Sequence, residues 1–275
     1  MKTLFRLLAR VPLPLLHALG VVMGWLAFLG SREMRHRFLA NAAQAGLPFA
    51  RVCAAVAESG KLLAEAPRLW FGRPVPLDWE GAELIEAARA AGRGILFLTP
   101  HLGCFEATAQ GYAQRFGPIT VLYRPARKAW LRELVDTSRE RHNLRAVPTT
   151  LSGVKQMLKA LQRGEAVGLL PDQVPPQGLG VAAPFFGRSA YTMTLPARLA
   201  HQSGACVLLA WGERLALGRG FRIHLRAWPG EMPRDPQAGA AAVNAQMERL
   251  VLEAPGQYLW AYARYKTPRA DKAFT

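Results

Sequence analysis

The chain has 275 residues, with 35 Lys or Arg against 19 Asp or Glu, a formal charge of +16 and a pI near 10.7. That length suits one large α/β domain or two small ones, and the charge points to anionic partners: nucleic acid, an anionic membrane, or phosphorylated or carboxylated substrates. Its three cysteines, Cys53, Cys104 and Cys206, lie too far apart for a metal-ligand cluster or a disulfide framework and fit a reducing compartment. Cys104 stands beside a histidine and a thiol nucleophile there is conceivable, but a buried small hydrophobe is the better reading of a lone cysteine.

From Val11 to Gly30 there is no Asp, Glu, Lys or Arg, while Lys2, Arg6 and Arg10 precede the run and Arg32, Arg35 and Arg37 follow it. A run of about 20 apolar residues just suffices to span a bilayer. Pro12, Pro14 and His17 shorten its uninterrupted part, so a helix lying in the interface stays open as an alternative. A secretory signal fits less well, because no Ala-x-Ala-type site closes the run before the basic cluster. We expect residues 1–31 to form a membrane anchor and residues 32–275 a single domain. Glu33 is the only acid before Glu58, which suits an anionic leaflet. Nucleic acid is disfavoured, since no binding motif or aromatic-basic pattern accompanies the charge.

Phe49 to Trp70 reads as one amphipathic helix, ended by the loop Gly72-Arg73-Pro74-Val75-Pro76. Apolar runs of strand type then alternate with helical stretches. The strands are expected at Ile95–Leu98, Ile119–Tyr123, Ala166–Leu170, Cys206–Trp211 and Phe221–Ala227. The helices are expected near Ala82–Ala91, Phe105–Phe116, Lys128–His142, Gly153–Gln162 and Leu195–Gln202. Val154, Met157, Leu158 and Leu161 recur at the spacing of a helix packed on a core. The alternation predicts an α/β fold with a mostly parallel central sheet flanked by helices, behind the N-terminal hydrophobic helix.

The stretch GILFLTPHLGCFE carries the most chemistry. Ile95 to Leu98 reads as a strand buried on both faces, so His101 falls in the loop at its carboxyl end, where open α/β sheets place ligands. Inside one helix, residues five apart are rotated by roughly 140° and would not meet. If His101 precedes the helix and Glu106 lies in its first turns, the loop can bring imidazole to carboxylate. That pair would be a general base with an acidic orienter, the arrangement that activates a hydroxyl. Spacing alone does not separate this from a histidine capping a helix and a glutamate favoured near its N-terminus.

Other polar residues fall at strand ends. Tyr123-Arg124-Pro125 closes the second strand and opens a basic run with Arg127, Lys128 and Arg132. Leu169-Leu170-Pro171-Asp172-Gln173 closes the third and begins a long loop to Tyr191, expected to have no secondary structure of its own and hence to be functional. Phe185 and Phe186 in that loop suggest an acyl- or lipid-contacting wall, with core anchoring equally open. There is no Gly-x-Ser-x-Gly elbow, phosphate loop, dinucleotide fingerprint or zinc spacing.

The chain resembles the lipid A late acyltransferases of Gram-negative bacteria, membrane acyltransferases with a His-x-x-x-x-Asp/Glu motif. The resemblance rests on HLGCFE, YRP, LLPDQ, PFFG with Thr192, LPARLAHQSGA, Asn244 with Glu248, and PGQYLWAYARYK, in this order behind the hydrophobic N-terminus. The chain departs from the pattern at Cys104-Phe105, where relatives commonly have Asn-Trp, and at Tyr262-Ala263-Arg264-Tyr265-Lys266, where they have a more basic run. The resemblance implies transfer of a fatty acyl chain from an acyl carrier protein thioester to a hydroxyl of a lipid A precursor. It implies an inner-membrane protein with its catalytic domain on the cytoplasmic side, and neither metal nor cofactor. His101 and Glu106 would be catalytic, and Arg124, Asp172 and Gln173 would serve substrate or oxyanion. In that scheme Asp172 positions Arg124 or substrate hydroxyls, while Arg127, Arg264 and Lys266 meet the anions of the acceptor. Two alternatives remain: an acyltransferase for a lysophospholipid or other amphiphile, and a non-catalytic membrane-anchored protein that binds anionic lipid.

Overall fold

The computed structural model describes residues 2–123 and 143–268. Arg124, Arg127 and the helix expected over Lys128–His142 lie outside the described residues. The N-terminal helices are α1 (Lys2–Leu8), α2 (Leu13–Gly30), α3 (Arg32–Gln44), α4 (Phe49–Val52) and α5 (Ala54–Phe71). The single amphipathic helix expected over Phe49–Trp70 is thus two, broken at Cys53. Then come β1 (Leu77–Glu80), α6 (Ala82–Ala90), β2 (Ile95–Leu98), α7 (Phe105–Arg115), β3 (Ile119–Tyr123), β4 (Leu144–Pro148), α8 (Leu151–Gln162) and β5 (Ala166–Leu169). The remainder is β6 (Gly180–Phe185), β7 (Arg188–Met193), α9 (Leu195–Ser203), β8 (Cys206–Arg214), β9 (Phe221–Ala227) and α10 (Pro236–Glu253).

Seven strands form one sheet in the order β1-β9-β8-β2-β5-β3-β4, parallel at every pairing except β8 with β9. The fully buried strands are those written as unbroken apolar runs: Ile-Leu-Phe-Leu in β2 and Ala-Val-Gly-Leu in β5. Successive side chains point to opposite faces, and the two faces build two cores. Leu96, Leu98, Val167 and Leu169 pack with Met157 of α8, Leu199 of α9 and Met247 of α10. Ile95, Phe97, Ile119 and Ala166 pack on the other side with Ile85 of α6 and Tyr112 of α7.

The long loop expected after Asp172 contains the two-stranded antiparallel hairpin β6–β7, in register from Gly180↔Met193 to Phe185↔Arg188. Its two-residue turn places Phe186 (φ 46°) and Gly187 (φ 72°) both in the left-handed region, as a hairpin turn of this length demands. Phenylalanine is a costly residue there, and tertiary contacts hold it. Its N–H donates to Glu248 Oε1 at 2.8 Å, its carbonyl accepts from Gln44 Nε2 at 2.8 Å, and its ring lies 6.1 Å from Trp260.

Helix α2 is long and apolar enough to cross a membrane by length and composition. It also packs along α5, through glycines that have no room for a side chain. A Cβ on Gly20 would lie 2.5 Å from Lys61 Cα, one on Gly24 2.2 Å from the Val56 carbonyl, and one on Gly60 2.0 Å from the Gly20 carbonyl. Small residues spaced by four allow this backbone approach. Beside the crossing, Glu65 is fully buried between His17 Nε2 at 2.9 Å and the Arg214 guanidinium, whose Nη2 donates at 2.7 Å. Burial alone would push the Glu65 carboxyl up, but Arg214 and His17 outweigh it and hold the group ionised, below its ordinary value. This cluster ties α2 through α5 to the end of β8.

Candidate active site

The sheet order builds the site. β5 lies next to β2 in parallel register, with Leu98 opposite Leu169. His101 is the third residue past Leu98 and Asp172 the third past Leu169, so the two leave the same edge of the sheet side by side. The Asp172 carboxylate accepts the His101 main-chain N–H at 2.8 Å through Oδ2 and faces ring Nδ1 at 2.7 Å through Oδ1. With Nδ1–H donated to the carboxylate, Nε2 carries the lone pair, and the Gln173 side-chain amide donates to it at 2.9 Å.

The loop that carries His101 is held from behind. Gly103 (φ 58°) packs so closely that a Cβ would sit 2.0 Å from the Gly212 carbonyl of β8. The Gly103 N–H donates to Gln257 O at 3.0 Å, Cys104 N–H to Gly212 O at 2.7 Å, and Leu259 N–H to His101 O at 3.1 Å. Strand β8 and the segment 257–259 therefore fix the histidine main chain, and the Phe105 ring meets the imidazole edge-on at 5.0 Å.

Asp172 is buried, which alone would push its carboxyl up. The His101 ring and amide, with the Arg264 guanidinium, outweigh burial and hold it below the ordinary aspartate value. Tyr258 lies against it, its phenol pushed well up by burial and by the Asp172 charge. Arg264 stands behind this pair, only 2% exposed, and donates to Tyr191 O at 2.8 Å, Thr192 Oγ1 at 2.7 Å and Asn244 Oδ1 at 3.2 Å. Its guanidinium lies over the Phe185 ring, 5.0 Å from the centroid.

These placements sort the expected residues. His101, Glu106, Gln173 and Lys266 all line one cavity of about 500 Å³, within the size range of small-molecule sites. Glu106 sits in the first turn of α7, as the spacing suggested. The cavity wall also includes Phe97, Val121, Gly168, Ala210 and Ile223 of the sheet, Tyr112 of α7 and Trp79 of β1. Phe185 is instead a core residue, packed against Phe186 and Tyr265 and absent from the cavity wall. Arg264 is enclosed in the hairpin–α10 network and reaches the site through Asp172. Tyr258 and Tyr262 were not singled out from the sequence. Tyr262 lines the cavity, and its hydroxyl accepts the Val174 N–H at 2.9 Å just past Gln173. Cys104 is fully buried and its thiol is pushed well above the usual range by burial.

A histidine on the wall of a largely apolar cavity, with a carboxylate on Nδ1 and a side-chain amide on its Nε2 lone pair, has the parts that an acyl-transfer site needs. A family model described as bacterial lipid A biosynthesis acyltransferase matches residues 3–267, and the chain belongs to that family. It is similar to the lipid A biosynthesis palmitoleoyltransferase of Escherichia coli (strain K12), 29% identical over 203 residues, covering 73% of this chain and 63% of that protein. Similarity to the lipid A biosynthesis lauroyltransferase of the same organism is 31% over 189 residues, covering 68% and 61%. A lipid A biosynthesis acyltransferase of Haemophilus influenzae is 28% identical over 192 residues, covering 69% and 59%. The chain thus spans less than two thirds of the length of the curated relatives it matches.

Proposed function

We propose that the chain transfers a fatty acyl group from an acyl carrier protein thioester to a hydroxyl of a lipid A precursor, at the inner membrane and on its cytoplasmic side. The observation that carries this reading is the His101 ring held between Asp172 at Nδ1 and Gln173 at Nε2, at the wall of an apolar cavity.

In this mechanism the acceptor hydroxyl displaces the Gln173 amide from Nε2. The imidazole takes the hydroxyl proton as the oxygen attacks the thioester carbonyl. The tetrahedral intermediate collapses with loss of the thiolate, which recovers the proton from the imidazolium. Asp172 holds the tautomer and steadies the imidazolium charge; Glu106, on the same cavity, is the second carboxylate that orients hydroxyl and ring. The apolar cavity takes the acyl chain. Transfer is direct, without an acyl-enzyme, because the Cys104 thiol is buried and its thiolate disfavoured. Lys266, on the cavity wall and 4.7 Å over the Tyr262 ring, is a described basic residue that can meet an anionic acceptor group, and Arg198 lines the same cavity. Oxyanion donors are worth roughly 3–4 kcal/mol each, and Arg124, outside the described residues, is the proposed one.

Residues 1–31 serve as the membrane anchor. The basic surface serves two anionic partners, the acidic carrier protein and the lipid, with no role for nucleic acid. The test is transfer of a labelled acyl chain from acyl carrier protein to a purified lipid A precursor by the purified chain. Labelled product that disappears with His101→Ala supports the reading, and product unaffected by that change refutes it.

A further inference from the structure

We propose that α2 does not cross the bilayer but lies flat in the headgroup region of an anionic membrane, as part of a one-sided docking surface. This rests on the membrane-anchor reading above and specifies its geometry.

The helix has two opposite faces. Leu15, Leu19, Val22, Leu26 and Leu29 recur at alternating steps of four and three, the spacing of a single stripe, and are 46% to 66% exposed. The other face carries His17, Gly20 and Gly24 against α5. The two helices run antiparallel in close contact, Gly24 at Val56, Gly20 at Lys61 and His17 at Glu65. Crossing the bilayer would therefore carry α5 in with α2. It would take with it the Glu58–Lys61 ion pair at 2.6 Å, the Glu65–Arg214 cluster and Arg68, which donates to the Ala9 carbonyl at 3.0 Å. A chain segment inside hydrocarbon cannot hold that many ionised groups beside solvent-facing domain surface. Lying flat, the helix buries only its leucine face and leaves α5 and the domain in water.

Charge agrees. Exposed Arg6 and Arg10 precede the stripe and exposed Arg32 and Arg37 follow it, and residues 1–32 contain no acid. A spanning helix places one of these clusters on the far side of the membrane, against the bias of basic flanks to one side. A flat helix sets both clusters on the same anionic leaflet.

Leu217 adds a further exposed apolar side chain next to the start of the stripe. It is 86% exposed with φ at 58°, a backbone region costly for leucine. It sits in the turn Ala216–Gly218, packed so closely on the start of α2 that a Cβ on Gly218 would meet Pro14 N at 2.5 Å. A strained leucine held out into solvent beside an apolar stripe is explained by contact outside the protein.

The test uses the full chain with Cys53→Ser and Cys206→Ser, leaving the buried Cys104, and one added cysteine at Leu15, Val22 or Leu29 that carries a fluorophore. Vesicles of phosphatidylglycerol and phosphatidylethanolamine carry shallow or deep spin-labelled lipid quenchers. Flat docking gives three alike profiles, each quenched best by the shallow probe. A spanning helix, rising about 1.5 Å per residue, gives Val22 the deepest position and overturns the proposal while keeping the anchor. Failure to bind vesicles, or disulfide crosslinking of unlabelled Val22→Cys copies in their absence, overturns it differently: the first removes the anchor reading itself, the second assigns the stripe to a second copy. Leu217→Gly relieves the backbone and should lower vesicle affinity several-fold while raising the unfolding temperature; unchanged affinity removes Leu217 from the surface.

Discussion

Asp172 grips His101 twice, by its main-chain N–H at 2.8 Å and by ring Nδ1 at 2.7 Å. A carboxylate that fixes both the position and the tautomer of an imidazole cannot be replaced by an amide of the same shape. Asn has a single acceptor oxygen: spent on the main-chain N–H it leaves an NH2 group facing ring Nδ1, and turned to the ring it sets that NH2 against the main-chain N–H. Asp172→Asn should therefore lower kcat by about 10²–10⁴-fold with little change in KM for the acyl donor. The measurement is steady-state transfer with a labelled acyl carrier protein substrate. Unchanged kcat would detach Asp172 from the chemistry. Glu106→Gln, tested in parallel, separates the two carboxylates. If Glu106 acts mainly on the acceptor, KM for the lipid rises as kcat falls.

The Asp172–His101 contact shows where sequence reading stops. His101 and Asp172 were both placed at strand ends from local signals: continuous apolar runs closed by Pro100 and Pro171. Their pairing depends on β5 lying between β2 and β3 in the sheet, an order that chain order does not reveal. Local sequence therefore points to Glu106, the nearest acid along the chain. The strands Ile95–Leu98, Ile119–Tyr123 and Phe221–Ala227 were legible to the residue because they are apolar or alternating runs with sharp Gly or Pro borders. Strand β1, Leu-Asp-Trp-Glu, is an edge whose charged residues face outward, and β4 carries Arg145 and ends in Pro148, so neither looked like a strand. The hairpin was masked by its prolines and by a turn that begins with Phe186. Helix α10 opens on Pro-Gln-Ala-Gly-Ala-Ala-Ala and buries Asn244 and Gln246 beside Val243, Met247, Leu250 and Val251, so polar residues interrupt the apolar stripe of its inward face.

Cys104 is a test of direct transfer. Its thiol is fully buried and held protonated, so Cys104→Ala should keep kcat within a few-fold of the parent. Thiol-alkylating reagents should leave the native enzyme active. Loss of activity in a Cys104→Ala protein that unfolds normally would revive an acyl-enzyme through sulfur.

The cavity floor should set acyl-chain preference. Gly168 lies on the wall, and a Cβ there would sit 3.3 Å from Val121 Cγ1, so a side chain at this position must project into the space or displace Val121. Gly168→Val should shift the ratio of kcat/KM toward shorter donors, by roughly 10-fold or more for each methylene that no longer fits. Competition between acyl carrier proteins loaded with short and long chains reads the ratio directly. An unchanged ratio would place the chain elsewhere.

Glu65 gives stability a defined acid limit. Its carboxyl is held below the ordinary value of 4.5 in the folded chain by Arg214 and His17, despite burial. Between that ordinary value and the depressed folded one, the unfolded chain binds a proton that the native chain does not. Stability from this group is therefore fully present above about pH 4.5 and falls as pH drops through that window. Glu65→Gln should flatten this part of the stability profile, with denaturant midpoints measured from neutral pH downward as the readout. Arg214→Met is the harsher change, because it leaves the Glu65 charge buried with only His17. Removing one partner of a buried ion pair costs about 3–5 kcal/mol. The loss should exceed that of the double variant Glu65→Gln, Arg214→Met, in which no charge is stranded. If the single and double variants are equally unstable, the cluster acts by packing alone and the acid slope belongs to other carboxylates, Asp172 first among them.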